Sequence, residues 1–255
     1  MNKQLFLISF LGFGLVLNLF GQMYAPSPLE AQNNNPTLGQ LTVGENIGNV
    51  VTGDIGQSAY WATSFLPPEG APPEQTDTSN MNDDDLETAL ADYAWLYDTW
   101  TNMYGPSNVS DGDTKTAWCE GVEGYGEGEV LLIKVDTSKP VSIWTGFGRT
   151  QKDFLSNSRP RKVRVWVLQA GNREATQNGE YYTDVTALAS REMELQDING
   201  WQPLPLPTHK LRNVLNPHYE EEIAGSFLSF VALEIITVYP GSKYKDTLIS
   251  EVGNP

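Results

Sequence analysis

The sequence predicts an antiparallel β-sandwich, and three observations carry that prediction. Gly (23) and Pro (16) are plentiful in 255 residues while charged residues are only 19%, a balance that suits a turn-rich β protein better than a helical bundle. Short runs of β-branched and aromatic residues recur after Gly105, separated by turn residues. Only one stretch shows strong helical periodicity. Hydrophobic residues at 40% and aromatics at 11% are enough to build a core, which argues against global disorder.

Taken in chain order, the N-terminus reads as a targeting segment. Met1 to Gln4 carry one positive charge, and Leu5 to Phe20 is almost wholly apolar. That is the length of a signal-peptide core and short of the roughly 20 residues that span a membrane. Residues 1–22 are therefore expected to be a signal peptide, with cleavage after Gly21, Gln22 or Ala25, the alternative being an uncleaved N-terminal anchor. Residues 23–50 are rich in Pro, Asn and Gln and read as a linker, with at most a short edge strand. Residues 51–255 are expected to form the sandwich. Ser58 to Leu66 is a strand candidate, and Pro67 to Asn82, with Pro-Pro twice, is a loop.

Asp83-Asp-Asp then opens a helix, because acids favour the positive end of the helix dipole. Leu86, Leu90, Tyr93, Tyr97, Trp100 and Tyr104 recur every three or four residues along one face, and Gly105-Pro106 ends the run. This aromatic stripe is expected to pack against a sheet. Glu129 to Val135, Val141 to Gly146 and Lys162 to Leu168 are strands. In the third, Val163, Val165 and Val167 point one way and Arg164 and Trp166 the other, the pattern of a half-buried strand. Glu180 to Ile198 holds further strands with a turn between them. Trp201 to Leu206 carries two prolines and belongs at an edge. Phe227 to Tyr239 is the longest apolar run and the expected central strand.

Charge and cysteine usage exclude several classes. Asp+Glu 32 against Lys+Arg 16 gives a net charge of −16, which repels phosphates and argues against a nucleic-acid partner. The one cysteine, Cys119, rules out an internal disulfide and a multi-cysteine metal site, and reads as a buried small hydrophobe. Two histidines exclude a His-rich zinc site. There is no Gly-x-Ser-x-Gly elbow and no His-Glu-x-x-His, and no pair of acids stands out as a glycosidase pair.

Three stretches hold candidate chemistry. In Ser110-Asp-Gly-Asp-Thr-Lys-Thr, two carboxylates flank a glycine. Such a turn either wraps a hard cation with oxygen ligands or is capped by its own side chains. Gly121 to Gly128 is glycine-rich but surrounded by acids and lacks a Gly-Lys-Ser/Thr ending, so it reads as a tight loop rather than a phosphate cradle. Arg149, Lys152, Arg159, Arg161, Lys162 and Arg164 form a basic cluster in an acidic chain. They are either the solvated face of a strand or, for Arg149 and Arg159 with Asn157, part of a polar ligand site.

Four motifs occur in order: Asp111-Gly-Asp-x-x-Thr-Ala-Trp-x-Glu-Gly, Gly146-Phe-Gly-Arg, Asn157-x-Arg-Pro and Val238-Tyr-Pro-Gly-x-Lys-Tyr-x-Asp-Thr-x-Ile-Ser-Glu. Together they resemble the NAD glycohydrolase translocation domain, or NADase-type glycan-binding domain, a divergent relative of the discoidin (coagulation-factor type C) domains. The resemblance runs from about Val51 to Val252, with residues 67–104 and their helix as an insertion. It implies an all-β, galactose-binding-like jelly-roll sandwich whose loops bind carbohydrate, without NAD hydrolysis. It also implies a structural calcium at Asp111, Asp113, Thr116 and Glu251. Two positions depart from the family pattern: Phe147 stands where a tyrosine is expected, and Cys119 is an unusual neighbour for Trp118.

The resulting expectation is an exported, non-catalytic glycan-binding module with no membrane span after cleavage. Its expected glycan contacts are Trp118, Glu120, Arg149, Asn157, Arg159, Tyr239, Lys243, Tyr244 and Asp246, with Trp118 either a stacking platform or a core plug. The competing classes are a protein-binding adhesion module of the cell envelope and a small exported glycoside hydrolase. The leader generates the first test. N-terminal sequencing of the native protein should find a mature end between Gln22 and Pro26 in an extracytoplasmic fraction; an intact Met1 in the cytoplasm overturns the export reading.

Overall fold

The computed structural model describes residues 41–51, 60–176, 179–216 and 221–255. The expected signal peptide and most of the expected linker lie outside the described residues. Two antiparallel sheets form the sandwich. The larger has five strands: β2 (Tyr60–Ala62), β4 (Val130–Lys134), β6 (Arg159–Gln169), β9 (Thr186–Glu194) and β13 (Ser229–Tyr239), in the order β2-β4-β13-β6-β9. The smaller joins β3 (Trp118–Cys119), β5 (Ser142–Thr145), β10 (Trp201–Pro203) and β14 (Leu248–Gly253) in the order β10-β5-β14-β3. β13 is central and β10 is an edge, as their residues predict.

Two smaller pieces complete the β structure. β1 (Val50–Val51), β7 (Asn172–Thr176) and β8 (Gly179–Thr183) form a three-stranded sheet, and β11 (Val214–Asn216) pairs with β12 (Glu221–Ile223). The strand alternation shows why they are needed. Leu131, Ile133, Val163, Val165, Val231, Leu233 and Ile235 point from the large sheet into one core, where Trp118, Ile143 and Val252 of the small sheet meet them. The intervening residues, Val130, Leu132, Trp166, Leu168, Phe230 and Ala232, point the opposite way into a second core with Ile47, Val50, Tyr182 and Val185. β6 is therefore not half-buried over its whole length. Trp166 is covered, while Arg164 of the same face reaches out to Glu192 and Glu234. With Arg161–Glu194 and Lys162–Glu192, these ion pairs form a solvated ladder that accounts for the basic run along β6.

The long helix α1 spans Asp83–Thr101. Asn82 caps it, its Oδ1 accepting from the Asp85 amide at 2.9 Å while its Nδ2 donates to Asp85 Oδ2 at 2.7 Å. The expected packing of its stripe against a sheet does not occur, because α1 contains no buried residue. Instead the rings pack on one another: Tyr93 lies 6.0 Å from Tyr97, and Tyr97 lies 5.7 Å from Trp100. Trp100 Nε1 donates to the Glu69 carbonyl in the preceding loop. Trp95, off the stripe, is 68% exposed. Helical periodicity identifies which residues share a face, not what lies opposite. A second helix, α2 (Gln151–Ser156), has the Thr150-x-x-Asp153 cap in its sequence but is too short for periodicity to reveal.

The three-stranded sheet carries a buried charge. Glu180 is 2% exposed and meets Arg173, Tyr182 and Lys134. Burial pushes its carboxyl up, but the Tyr182 hydroxyl, the Arg173 guanidinium and the Lys134 charge outweigh burial and hold it below the ordinary 4.5. A depressed folded-state value adds stability above the unfolded value, and that stability is lost as pH falls through the folded one. Glu180→Gln should therefore cost about 2 kcal/mol at neutral pH. Urea denaturation should show the gap between wild type and variant closing as the pH drops below 4.5.

Candidate functional site

The Asp-Gly-Asp turn is built by its own side chains. Asp111 Oδ1 accepts from the Asp113 amide at 2.7 Å, and Asp113 Oδ1 accepts from the Lys115 amide at 2.9 Å. The Thr116 hydroxyl lies 2.7 Å from both Asp111 Oδ2 and the Asp113 carbonyl. Gly112 makes the turn possible with φ of +78°. Glu251 of β14 comes up beneath it. This residue is 4% exposed, and its Oε1 has no hydrogen-bond partner. Burial first, and the neighbouring Asp111 second, push its carboxyl up to about 8. Among the described residues no three His, Cys, Asp or Glu side chains converge. The donor set is thus two carboxylates, a hydroxyl and a backbone carbonyl. These are all oxygens, the ligands a calcium ion takes, and one of them is an orphaned buried atom.

Three loops meet at the end of the sandwich beside this turn. Gly146 bridges to Ile249, and Ser158 bridges to Thr247. Glu120 ties the glycine-rich loop to the last strand: Oε2 accepts from the Val122 amide at 2.9 Å and Oε1 from the Thr247 amide at 3.1 Å. Its burial leaves no room beside it, since a side chain at Gly126 would meet Glu120 Cγ at 2.4 Å. Arg159 does the same for the other loops. It forms a fork with Asp197 (Nε–Oδ1 2.7 Å, Nη2–Oδ2 2.6 Å) and donates to the Asn157 carbonyl, with Phe154 stacked 4.9 Å away.

These contacts correct part of the expected glycan site. Trp118 is fully buried with its Nε1 donated to the Ser64 carbonyl, so it is a core plug and offers no stacking face. Glu120 and Arg159 are likewise fully engaged inside, and act as staples rather than ligand contacts. Asn157 is spent on the C-terminal cap of α2, with Nδ2 on the Asp153 carbonyl at 2.8 Å. Tyr239 donates its hydroxyl to the Leu195 carbonyl at 3.0 Å and packs beside Arg161.

The remaining expected residues do face solvent together with several that were not singled out. Arg149 pairs with Asp153 at 2.9 Å and lies 4.7 Å over the Phe147 ring. Tyr244 is 42% exposed, with Lys243 over its ring. Asp246 is half-buried beside Lys245, which reaches over Tyr125. Phe147 also joins a small apolar cluster of Leu66, Tyr104, Ala117, Cys119 and Leu248. In it Cys119 is 2% exposed, and burial pushes its thiol far up. Tyr104, raised by burial and the Glu69 carboxylate, borders Arg149. A cleft of about 500 Å³ lies elsewhere, lined by Gln169, Asp184, Thr186, Arg212 and Val214, and none of the expected site residues lines it.

A further aromatic pair lies on the outward face of the small sheet. Trp201 of β10 stands opposite Trp144 of β5, their rings 6.0 Å apart and edge-on at 80°. Trp144 in turn stands opposite Glu251 of β14. The alternation around Ile143, which points inward, signals the outward Trp144 in the sequence.

Polar and aromatic side chains thus gather on the loops at one end of the β-sandwich. The chain belongs to the NAD glycohydrolase translocation F5/8 type C domain family, whose model matches residues 86–254. No curated protein sequence matches it. Solved structures that are similar at low identity include the following three. An F5/8 type C domain from Bacteroides fragilis shares 10% identity over 80% of this chain and 93% of that one, at a TM-score of 0.38. A mutant Ruminococcus gnavus fucosidase in complex with fucose shares 12% over 77% of this chain and 24% of that one, at 0.28. An arabinofuranosyltransferase from Mycobacteria shares 11% over 80% of this chain and 11% of that one, at 0.35.

Proposed function

We propose that this chain is an exported, non-catalytic module that binds glycan at its loop end. The observation that carries this reading is the division of labour in those loops. Trp118, Glu120 and Arg159 hold them from inside, which leaves Arg149, Phe147, Tyr244, Lys243 and Asp246 at the surface. Rings cover the weakly apolar face of a sugar, and charged groups bond its hydroxyls. Family membership supports a binding rather than a catalytic role. Among the described residues no helix is long and apolar enough to cross a membrane. A protein-binding adhesion role draws instead on the exposed Trp95, Leu96 and Tyr97 of α1.

A glycan array on the mature chain, followed by calorimetry, tests the reading. Arg149→Ala and Tyr244→Ala should each weaken binding by roughly tenfold or more while the fold stays intact. Normal binding by both folded variants would move the site elsewhere, and an empty array would favour the adhesion role.

We further propose that calcium is held by Asp111, Glu251, the Thr116 hydroxyl and the Asp113 carbonyl. The orphaned Glu251 Oε1 supports this. A cation bound only by the folded chain stabilises it by about 2.7 kcal/mol at a hundredfold excess over its dissociation constant. Melting curves should therefore shift upward with calcium and fall with chelator, and Asp111→Asn should abolish the difference. Identical curves with and without chelator would leave the turn a self-capped loop.

A further inference from the structure

The outward face of the small sheet carries a feature the loop-end reading does not use. Trp201 sits on an edge strand with 49% of its surface in water, in a protein that buries Trp61, Trp118 and Trp166. Its partner Trp144 is fixed from two sides. Trp144 Nε1 donates to Asn199 Oδ1 at 3.0 Å, and a side chain at Gly148 would come within 2.7 Å of that same nitrogen. An indole nitrogen only donates, so Asn199 must turn its oxygen inward. That leaves the Asn199 amide nitrogen facing away from the indole, and it has no acceptor among the described residues. One exposed ring edge-on to a fixed one, with a free amide donor beside them, is a rigid stacking plane with a hydrogen-bonding rim.

Position relates this plane to the loop end. Trp201, Trp144 and Glu251 stand side by side on three adjacent strands. Strands lie about 4.8 Å apart, and Glu251 is buried, so the open part of the row is Trp201 with the partly buried Trp144, about the width of one sugar ring. Gly148, between Phe147 and Arg149 in sequence, lies beside Trp144: a Cβ built there would meet Trp144 Nε1 at 2.7 Å and the Thr114 carbonyl, next to the Asp-Gly-Asp turn, at 2.8 Å. Trp144 is therefore a neighbour of the loop that carries Phe147 and Arg149.

We propose that Trp201, with Asn199 and Trp144, is a second carbohydrate subsite, which stacks neutral pyranose rings of a chain whose other end occupies the loops. This rests on the glycan reading above and adds a chain-length requirement to it. A bound sugar ring covers the exposed indole face and takes a hydrogen bond from Asn199, whereas a monosaccharide held in the loops reaches neither.

Calorimetry and tryptophan fluorescence with neutral gluco-, galacto- and manno-oligosaccharides of increasing length test it. Affinity should rise with length, and the gain should vanish in Trp201→Ala, leaving long chains bound roughly tenfold more weakly. Trp201→Phe should keep most of the gain, and short sugars should bind both variants as they bind wild type. Length-dependent binding that Trp201→Ala leaves unchanged overturns the subsite and spares the loop-end site. Loss of long-chain binding in Trp201→Ala, with Arg149→Ala and Tyr244→Ala unaffected, keeps Trp201 as a carbohydrate site and overturns the loop-end reading. No binding of any oligosaccharide overturns both.

Discussion

The molecule is organised by the requirement that β13 expose neither of its faces. Val231, Leu233 and Ile235 point one way, and Phe230 and Ala232 point the other. A strand apolar on both sides cannot lie on a two-layer sandwich with one face wet. The small sheet closes one side, and the segment from Ile47 to Val50, together with β8, closes the other. The third layer then has to bring Glu180 inside with Tyr182, and Arg173 and Lys134 follow to compensate its charge.

At the loop end the same economy applies to polar groups. Backbone amides at Val122 and Thr247 need acceptors once the glycine-rich loop folds over the last strand, and one carboxylate serves both. Arg159 gathers the Asn157 carbonyl and the Asp197 carboxylate in one guanidinium. Irregular loops become a fixed platform this way without a disulfide. Arg149, Lys243 and Tyr244 stay exposed on them.

Much of the fold was legible because it depends on local chemistry. The β-branched runs of β4, β6 and β13, the proline that ends β10 and the three aspartates opening α1 each announce their element. What the sequence could not state is which residues face which partners. Trp118 and Trp201 are the same residue type in short strands of one sheet. Both strands are edges of that sheet, but Trp118 points into the core between the sheets while Trp201 shares the outward face with Trp144. Glu120 and Arg159 carry charges, so composition assigns them to the surface. Their burial follows from the Thr247 amide and the Asp197 carboxylate, each more than 35 residues away in sequence. For these residues the motifs name loops at the end of the sandwich, and the side chains turn inward from them.

The solitary cysteine has a practical consequence. Cys119 lies in β3 under Leu66, Tyr104 and Phe147, with its sulfur closed off from solvent and its proton firmly held. Oxidants and alkylating reagents cannot reach it while β3 is paired with β14. Each reaction at that sulfur therefore records one opening of the strand pair that also carries Glu251. The rate of labelling becomes an internal clock for how often this end of the sandwich comes apart.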